Sequence, residues 1–178
     1  EGVTKAMKGW QNPFFAYLHF IPPHAPYNPR KEFLQLFNDG ITPLSKPDHT
    51  LSNEQSPKTL DRARQQYDQY IANVDDEFGK LIKFLKKNGY FDNSIILFTS
   101  DHGELFERGT QGHSTRLVYE PIVRVPLIVS IPRLQQRIDV NSLTSTVDLM
   151  PTIMGIAGME IPELLEGKKL PELGGETD

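Results

Sequence analysis

The stretch "SIILFTSDHGE", residues 94–104, sets the organisation of this chain. Its apolar run from Ile95 to Phe98 has the composition of a strand that is covered on both faces. The strand then ends abruptly on Asp101, His102 and Gly103. A carboxylate beside an imidazole can bind a divalent ion, and a glycine lets the backbone approach a ligand closely. The same three residues are also compatible with a polar turn that has no function.

The elements around this stretch predict an α/β protein. Between residues 67 and 85, apolar side chains recur at steps of three and four, which predicts an amphipathic helix that Gly89 ends. The runs "PFFAYLHFI" (13–21) and "RVPLIVSIP" (124–132) predict two more buried strands, and "STVDLMPTIMGIAG" (145–158) predicts a second helix. A strand, a long helix and another strand in succession favour an α/β/α sandwich built on a mainly parallel sheet.

The composition excludes several classes of function. The 178 residues carry a formal charge of −4 that is spread along the chain, so no basic patch for nucleic acid is expected. No apolar run reaches the roughly 20 residues that span a bilayer. The absence of cysteine excludes disulfides, thiolate metal sites and a cysteine nucleophile within this stretch. The first residue is Glu1 and the last residues are polar, so we expect a fragment whose localisation is open.

Two loop histidines are candidates for chemistry. His24 lies between prolines in "PPHAPY", which lowers the entropy cost of holding the imidazole in one place. His113 follows Gly112 and could donate to an anionic oxygen or act as an acid. Each could equally be a surface histidine without a function. His19 alternates within an apolar run and is expected in the core or beside the site, whereas His49 is expected in solvent.

Ligands of parallel α/β sheets bind outside the carboxyl ends of the strands. The loops at 22–29 and 101–115 follow two predicted strands, so we expect them to lie side by side. They would bring His24, the Asp101-His102 pair and His113 together. No phosphate-binding glycine loop or serine nucleophile elbow is present in the sequence. The set therefore has groups that bind anions and move protons, but it lacks a nucleophile.

The order and spacing of longer blocks resemble the sulfatase family of the alkaline phosphatase superfamily. The blocks are "FFAYLHFIPPHAPY", "YDQYIANVDDEFGKLIKFLKKNGYFDNSIILFTSDHGE", "GHSTRLVYEPIVRVPLIV" and "STVDLMPTIMGIAG". Together they cover about residues 10 to 160. Their succession is more specific than the Asp-His-Gly triplet alone.

The resemblance implies a fold, a reaction and a set of roles. Sulfatases fold as an α/β/α sandwich and hydrolyse sulfate esters with a divalent ion, usually calcium, with manganese, magnesium or zinc as alternatives. By motif position, Asp101 and His102 match metal ligands and His24 matches the histidine that contacts the sulfate or the leaving oxygen. His113 falls in the loop where relatives place a Lys or His against the substrate. The family nucleophile is a formylglycine made within a C/S-x-P-x-R motif, which these 178 residues lack.

The resemblance also predicts how the chain is divided and what it binds. Residues 1–158 are expected to form the second half of a catalytic domain, and 159–178 a linker or the start of a small carboxyl-terminal subdomain. The expected substrate is a small sulfate ester or a sulfated sugar, with no nucleic acid partner and no membrane segment in this stretch. Alone, the chain is expected to be inactive and to self-associate. Two alternatives stay open: a phosphodiesterase or phosphonate monoester hydrolase of the same superfamily, and a non-catalytic binding or structural protein.

Overall fold

The computed structural model describes most of the chain. The described residues are 2–10, 13–38, 40, 45–113, 116, 118–132, 136–173 and 175. Residues 38–57 are rich in Pro, Ser, Asp and Asn, a composition that predicts a surface loop, and residues 39 and 41–44 of this segment lie outside the described part. The chain divides into two compact units, Glu1–Arg133 and Leu134–Asp178.

In its described residues, the first unit contains three α-helices and four short strands. Its helices are α1 (Gly2–Ala6), α2 (Pro57–Lys87) and α3 (Glu120–Val123), with 3-10 turns at Lys31–Phe33 and Phe91–Asn93. Its strands are β1 (Ile96–Thr99), β2 (Leu105–Glu107), β3 (Thr110–Gly112) and β4 (Leu127–Ser130). Strands β1 and β4 pair antiparallel, and so do β2 and β3.

The long helix α2 confirms the amphipathic helix predicted at 67–85, but it begins earlier, at Pro57. Ser56 precedes it, and the Ser56 hydroxyl oxygen accepts a hydrogen bond from the Thr59 amide at 3.2 Å. Pro57 occupies a first-turn position, where its missing N–H costs no hydrogen bond. At the other end Gly89 has a φ of 74°, a left-handed conformation that ends the helix where the sequence predicts.

The core of the first unit forms where α1, α2 and β1 meet. Met7, Leu81 and Leu85 are buried, and partly buried side chains such as Phe78 and Ile96 pack against them. The rings of Phe78 and Phe98 lie 4.8 Å apart and join α2 to β1. This packing holds β1, and therefore the start of the Asp101 loop, against a rigid helix.

Strands β2 and β3 form a hairpin that the sequence analysis does not predict, since residues 101–115 were expected to be one polar loop. Leu105 lies opposite Gly112 and Glu107 opposite Thr110. The two connecting residues, Arg108 and Gly109, have positive φ angles of 56° and 72°. Two successive positive φ values are what a two-residue type I′ turn requires.

The predicted strand at 13–21 is not formed. Its residues carry no strand assignment, and Phe15 and Tyr17 are 71% and 76% exposed. A strand needs a neighbour that offers free backbone N–H and C=O groups, and no described strand pairs with this run. The prediction was therefore wrong for this chain, although the apolar composition that prompted it is plain.

The strands predicted around β1 and β4 are confirmed, and so is the α/β class. Both described pairs are antiparallel. Parallel pairing, which the sandwich prediction favours, does not occur among the described strands.

The second unit contains the predicted helix near residues 145–158. It begins as a 3-10 turn at Thr146–Asp148 and continues as α4 (Leu149–Ile156). The Asp148 carboxylate accepts from the Ser145 amide at 2.7 Å, and Ser145 caps the turn in return. The division of the chain at residue 158 stays a prediction.

In the part of the chain that the structure describes, no helix combines the length and the apolar character needed to cross a membrane.

The buried position of Leu81 predicts a large effect on stability. Leu81→Ala should lower the free energy of unfolding by about 2–5 kcal/mol, because it leaves a cavity between α1 and α2. Urea unfolding followed by circular dichroism would measure the change. Ile71→Ala is the matched control, since Ile71 lies on the same helix but is 42% exposed, and its change should be clearly smaller.

Candidate active site

The side chains predicted to carry chemistry come together in the first unit. The rings of His102 and His113 are stacked, with centroids 3.9 Å apart and planes inclined by 24°. The ring of His24 meets that of His113 edge-on at 5.1 Å. Asp101 is adjacent, with its Oδ1 3.8 Å from Nε2 of His102. The structure thus gathers residues that are as much as 89 positions apart in the sequence.

Hydrogen bonds fix the orientation of His102. Its Nδ1 lies 2.8 Å from the carbonyl oxygen of Gly103, which can only accept, so Nδ1 carries the proton of this bond. The Ser100 hydroxyl donates to the His102 carbonyl oxygen at 2.6 Å and holds the backbone of the same turn. Nε2 of His102 is left on the side of Asp101, as a metal ligand would need.

The Asp101 carboxylate is exposed and ionised. Partial burial raises its pKa, but the imidazole of His102 and the His102 amide outweigh this and hold the pKa below its ordinary value. The amide donates to Oδ1 at 3.0 Å. The carboxylate therefore carries a negative charge at neutral pH, with lone pairs directed to solvent.

Asp101 and His102 fit part of a divalent ion's ligand shell. A carboxylate oxygen and an imidazole nitrogen are ordinary ligands for such ions. Divalent ions take four or more ligands, and the described residues contain no group of three or more acidic, histidine or cysteine side chains that could hold one. Asp101 and His102 by themselves would therefore fill only part of such a ligand shell.

Gly103 is required for packing, which differs from the close approach to a ligand that the sequence suggested. A Cβ at this position would lie 2.1 Å from the carbonyl oxygen of Pro121. The Gly103 amide donates to the Ile122 carbonyl at 2.7 Å. The turn that carries Asp101 and His102 is thus held against α3 by close packing and by a backbone hydrogen bond.

Glu104 is a site residue that the sequence reasoning missed. Its side chain is only 4% exposed, and its Oε1 lies 3.1 Å from Nδ1 of His113. The only sequence signal was Gly109 between two short segments, since glycine is common at the second position of a two-residue hairpin turn, whereas Arg108 is not typical of the first. In that register Leu105 faces Gly112, so the next pair outward is Glu104 with His113.

Tyr27 extends the group from the loop that carries His24. Its hydroxyl donates to Oε2 of Glu104 at 3.1 Å. Its ring packs edge-on against Tyr67 on α2 and Phe106 on β2, at 5.4 Å and 6.0 Å. Burial raises the pKa of Tyr27 far above its ordinary value; a hydrogen bond with Gln111 acts in the opposite direction, and the Glu104 carboxylate raises the pKa further. The hydroxyl therefore stays protonated and acts as a donor.

Arg30 anchors the far end of the same loop to α2. Its amide donates to the Asn73 side chain at 3.0 Å, and its guanidinium binds Asp76 and lies 3.0 Å from Glu77. Two adjacent acidic side chains of α2, Asp76 and Glu77, thus have a structural partner in Arg30.

The remaining two histidines are His19 and His49. His19 was expected in the core or beside the site; it is exposed, with its Nδ1 3.1 Å from the Tyr17 hydroxyl, and it is near enough to Asp101 to help lower the pKa of that carboxyl. His49 is partly buried rather than solvated: its Nδ1 accepts from the Leu51 amide at 3.0 Å.

Comparison with known proteins now decides the family. The family model described as Sulfatase matches residues 2–159. The chain belongs to the sulfatase family. The match spans the first unit, with the whole histidine cluster, and α4 of the second.

Individual sulfatase relatives and solved structures are similar over most of the chain. The ulvan-active sulfatase of Formosa agariphila is 29% identical over 167 residues, which are 90% of this chain and 32% of that protein. Phosphonate monoester hydrolase SpPMH from Silicibacter pomeroyi is 34% identical, with a TM-score of 0.60 over 65% of this chain and 23% of its own. The phosphonate monoester hydrolase of Agrobacterium radiobacter shares the fold, with a TM-score of 0.84 at 22% identity, over 99% of this chain and 41% of that one.

The chain spans about a third of the length of the curated sulfatases it matches. The two solved relatives are also longer than this chain. The fold is therefore that of a fragment of the larger sulfatase catalytic domain.

The close contact between Gly103 and the Pro121 carbonyl predicts that replacing this glycine by alanine destabilises the chain, whereas the same replacement in an uncrowded position does not. Gly103→Ala should lower the free energy of unfolding by about 1–3 kcal/mol or more, since the new Cβ overlaps the Pro121 carbonyl. The matched control is Gly79→Ala in the middle of α2, where no atom lies within 4 Å of the new Cβ. That change should stabilise the chain by about 0.5–1 kcal/mol. Urea unfolding should therefore show that the two substitutions change the free energy of unfolding in opposite directions.

The environment of Tyr27 predicts a stability loss at high pH. Because the native pKa lies above that of an unfolded tyrosine, the unfolded chain releases this proton first as the pH rises beyond about 10. Stability should therefore fall with pH in this range, and Tyr27→Phe should make the fall less steep. Urea unfolding at about pH 8 and about pH 11 would measure it. Equal slopes in both proteins would contradict the burial of this hydroxyl.

Proposed function

We propose that this chain is the part of a sulfuric ester hydrolase that binds the sulfuryl group from one side. The observation that carries the proposal is the convergence of His24, Asp101, His102 and His113 in one cluster of a sulfatase-family chain. Cationic, hydrogen-bonding and metal-binding groups are the types that stabilise charge on the oxygens of a sulfate ester.

His24 and His113 are the proposed catalytic residues. The Nδ1 of His24 donates to the Ala25 carbonyl at 2.7 Å, and the Nδ1 of His113 is occupied by Glu104. In both rings Nε2 remains for the substrate. One imidazolium can neutralise charge on a sulfuryl oxygen while the other delivers a proton to the leaving oxygen.

Asp101 and His102 are the proposed metal ligands of this chain. Sulfatases in general use a divalent ion, and calcium is proposed first, with manganese, magnesium or zinc as alternatives. When bound, the ion supplies positive charge next to the sulfuryl oxygens. Exposed carboxylate oxygens on Asp101 and a free Nε2 on His102 suit this role.

The nucleophile and the remaining ligands are proposed to come from other parts of the protein. The family resemblance assigns the nucleophile to a formylglycine, and no C/S-x-P-x-R motif occurs in these 178 residues. Residues 1–158 would then be the second half of the catalytic domain, and 159–178 a linker or the start of a small subdomain. The chain alone should be inactive.

The exposed apolar run at 13–21 is consistent with this arrangement. Phe15, Tyr17 and Ile21 are 71%, 76% and 69% exposed. Large apolar surfaces are normally covered by another part of a protein. We propose that the rest of the catalytic domain covers this run, and that the chain self-associates when it is expressed alone.

The proposed substrate is a small sulfate ester or a sulfated sugar. The relative from Formosa agariphila is named for activity on ulvan. A phosphodiester or a phosphonate monoester is the second candidate, since a phosphonate monoester hydrolase is 34% identical over 65% of this chain. Sulfuryl and phosphoryl groups are similar in shape and charge distribution, so the histidine cluster suits either.

The decisive experiment is a side-by-side assay of the full-length protein with an aryl sulfate and a phosphodiester. Faster turnover of the sulfate supports the proposed function, whereas faster turnover of the phosphodiester overturns it in favour of the second candidate. Mass spectrometry of the full-length protein would show whether formylglycine is present.

In the same protein, Asp101→Ala should lower kcat by at least about a hundredfold, since a lost metal contact removes several kcal/mol of charge stabilisation. Asp92→Ala is the matched control, because Asp92 is exposed in the turn before β1 and lies outside the cluster. If Asp101→Ala keeps the kcat of the unaltered protein, the metal-ligand assignment is wrong.

A further inference from the structure

We propose that Glu104 is a positioning residue that keeps Nδ1 of His113 on its carboxylate and so directs Nε2 of that ring toward the sulfuryl group. The inference rests on the proposed function and deepens it. Hydrogen bonds that run from Tyr27 to Glu104 and from His113 to Glu104 join two loops of the site. Glu104 itself is not proposed to touch the substrate.

The hairpin register creates the pairing of Glu104 with His113. Glu104 immediately precedes β2 and His113 immediately follows β3. Leu105 lies opposite Gly112, so the residues one step outward face each other across the open end of the hairpin. The two-residue turn at Arg108-Gly109 fixes this register, since an insertion or deletion of one residue would change the partner.

Burial makes the carboxylate dependent on its two donors. The Glu104 side chain is 4% exposed, and an unpaired carboxylate in that position would be costly. Nδ1 of His113 lies 3.1 Å from Oε1 and 3.3 Å from Oε2, and the Tyr27 hydroxyl donates to Oε2 at 3.1 Å. Both oxygens therefore accept hydrogen bonds.

This arrangement fixes the orientation of the His113 ring. A carboxylate can only accept, so Nδ1 carries a hydrogen in every form of the bonded ring, and Nε2 faces the substrate side, where it donates when the ring is an imidazolium. The ring is also held in place by the stacked ring of His102 and the edge of His24. A solvated imidazole would distribute its proton between both nitrogens and rotate freely.

Tyr27 orients the carboxylate in turn. It belongs to the loop of His24, and its ring is packed between Tyr67 and Phe106. The buried Glu104 carboxylate accepts from the Tyr27 hydroxyl and from His113, and so links the loop of His24 to the hairpin of His113. The relative position of the two proposed catalytic histidines therefore depends on Glu104.

The test uses the full-length protein and two kinds of measurement. Glu104→Gln keeps the shape of the side chain but lets an amide donate to His113, so both ring tautomers become possible. We expect kcat to fall about 10- to 100-fold with KM changed less than about threefold, as for partners that orient a reacting group. Tyr27→Phe should give a smaller loss in the same direction. Glu107→Gln is the matched control, since Glu107 pairs with Lys46 and Arg108 at the other end of β2 and should leave kcat unchanged.

Nitrogen NMR of histidine-labelled protein at about pH 9, where free imidazoles are neutral, reports the tautomer directly. The His113 signal is assigned by its loss in His113→Gln. The unaltered protein should show Nδ1 protonated, and Glu104→Gln should increase the form protonated on Nε2. A purely structural role for Glu104 would lower stability without lowering kcat in folded Glu104→Gln protein.

The outcomes separate this inference from the proposed function. If neither ester is hydrolysed, the proposed function is overturned, while the NMR signal still decides whether Glu104 fixes the His113 ring. If the protein is an active sulfatase but Glu104→Gln keeps its kcat, or His113 carries its proton on Nε2, the positioning role is overturned alone. Thermal unfolding of each variant shows whether it is folded, so that a change in kcat or in the His113 NMR signal is not a consequence of misfolding.

Discussion

The buried carboxylate of Glu104 is the interaction on which the arrangement of the site depends. A charge removed from water must find donors, and the donors available are a histidine on one segment and a tyrosine on another, 77 residues before it. Satisfying this one group fixes the distance between the His24 loop and the β2–β3 hairpin. The packing of Tyr27 against Tyr67 then ties both to α2, the longest rigid element of the first unit.

The neighbouring turn shows a different kind of constraint, in which the backbone itself is fixed. Gly103 approaches the Pro121 carbonyl so closely that no side chain fits, and its amide donates to Ile122. Asp101 and His102 are therefore held by packing against α3, while the hydrogen bond from His102 to Gly103 turns its Nε2 toward Asp101. The proposed metal ligands and the proposed catalytic histidines meet where His102 stacks on His113. Rigid backbone and a satisfied buried charge together preorganise groups that would otherwise be mobile on loops.

Local features of the fold were predictable, and pairing over long distances was less so. The helix at α2 and the strands at β1 and β4 follow from periodicity and apolar runs, because these signals depend on nearby residues. The run at 13–21 has the same composition as a buried strand but is exposed, since strand formation depends on a partner that composition does not reveal. The hairpin was overlooked because its strands are only three residues long and its turn uses Arg108 where Asn or Asp is more familiar.

The amino-acid sequence alone identified the family and named the candidate residues for chemistry. Asp101, His102, His24 and His113 were named from motif and spacing, and the ordered blocks around them are sufficient to identify a sulfatase-family chain. Only the tertiary structure decided that the three rings touch, that Gly103 serves packing, and that Glu104 joins His113 to Tyr27. The physical reason is that residue type and local pattern are properties of short segments. Burial, hydrogen-bond partners and ring stacking arise only when distant segments share one space.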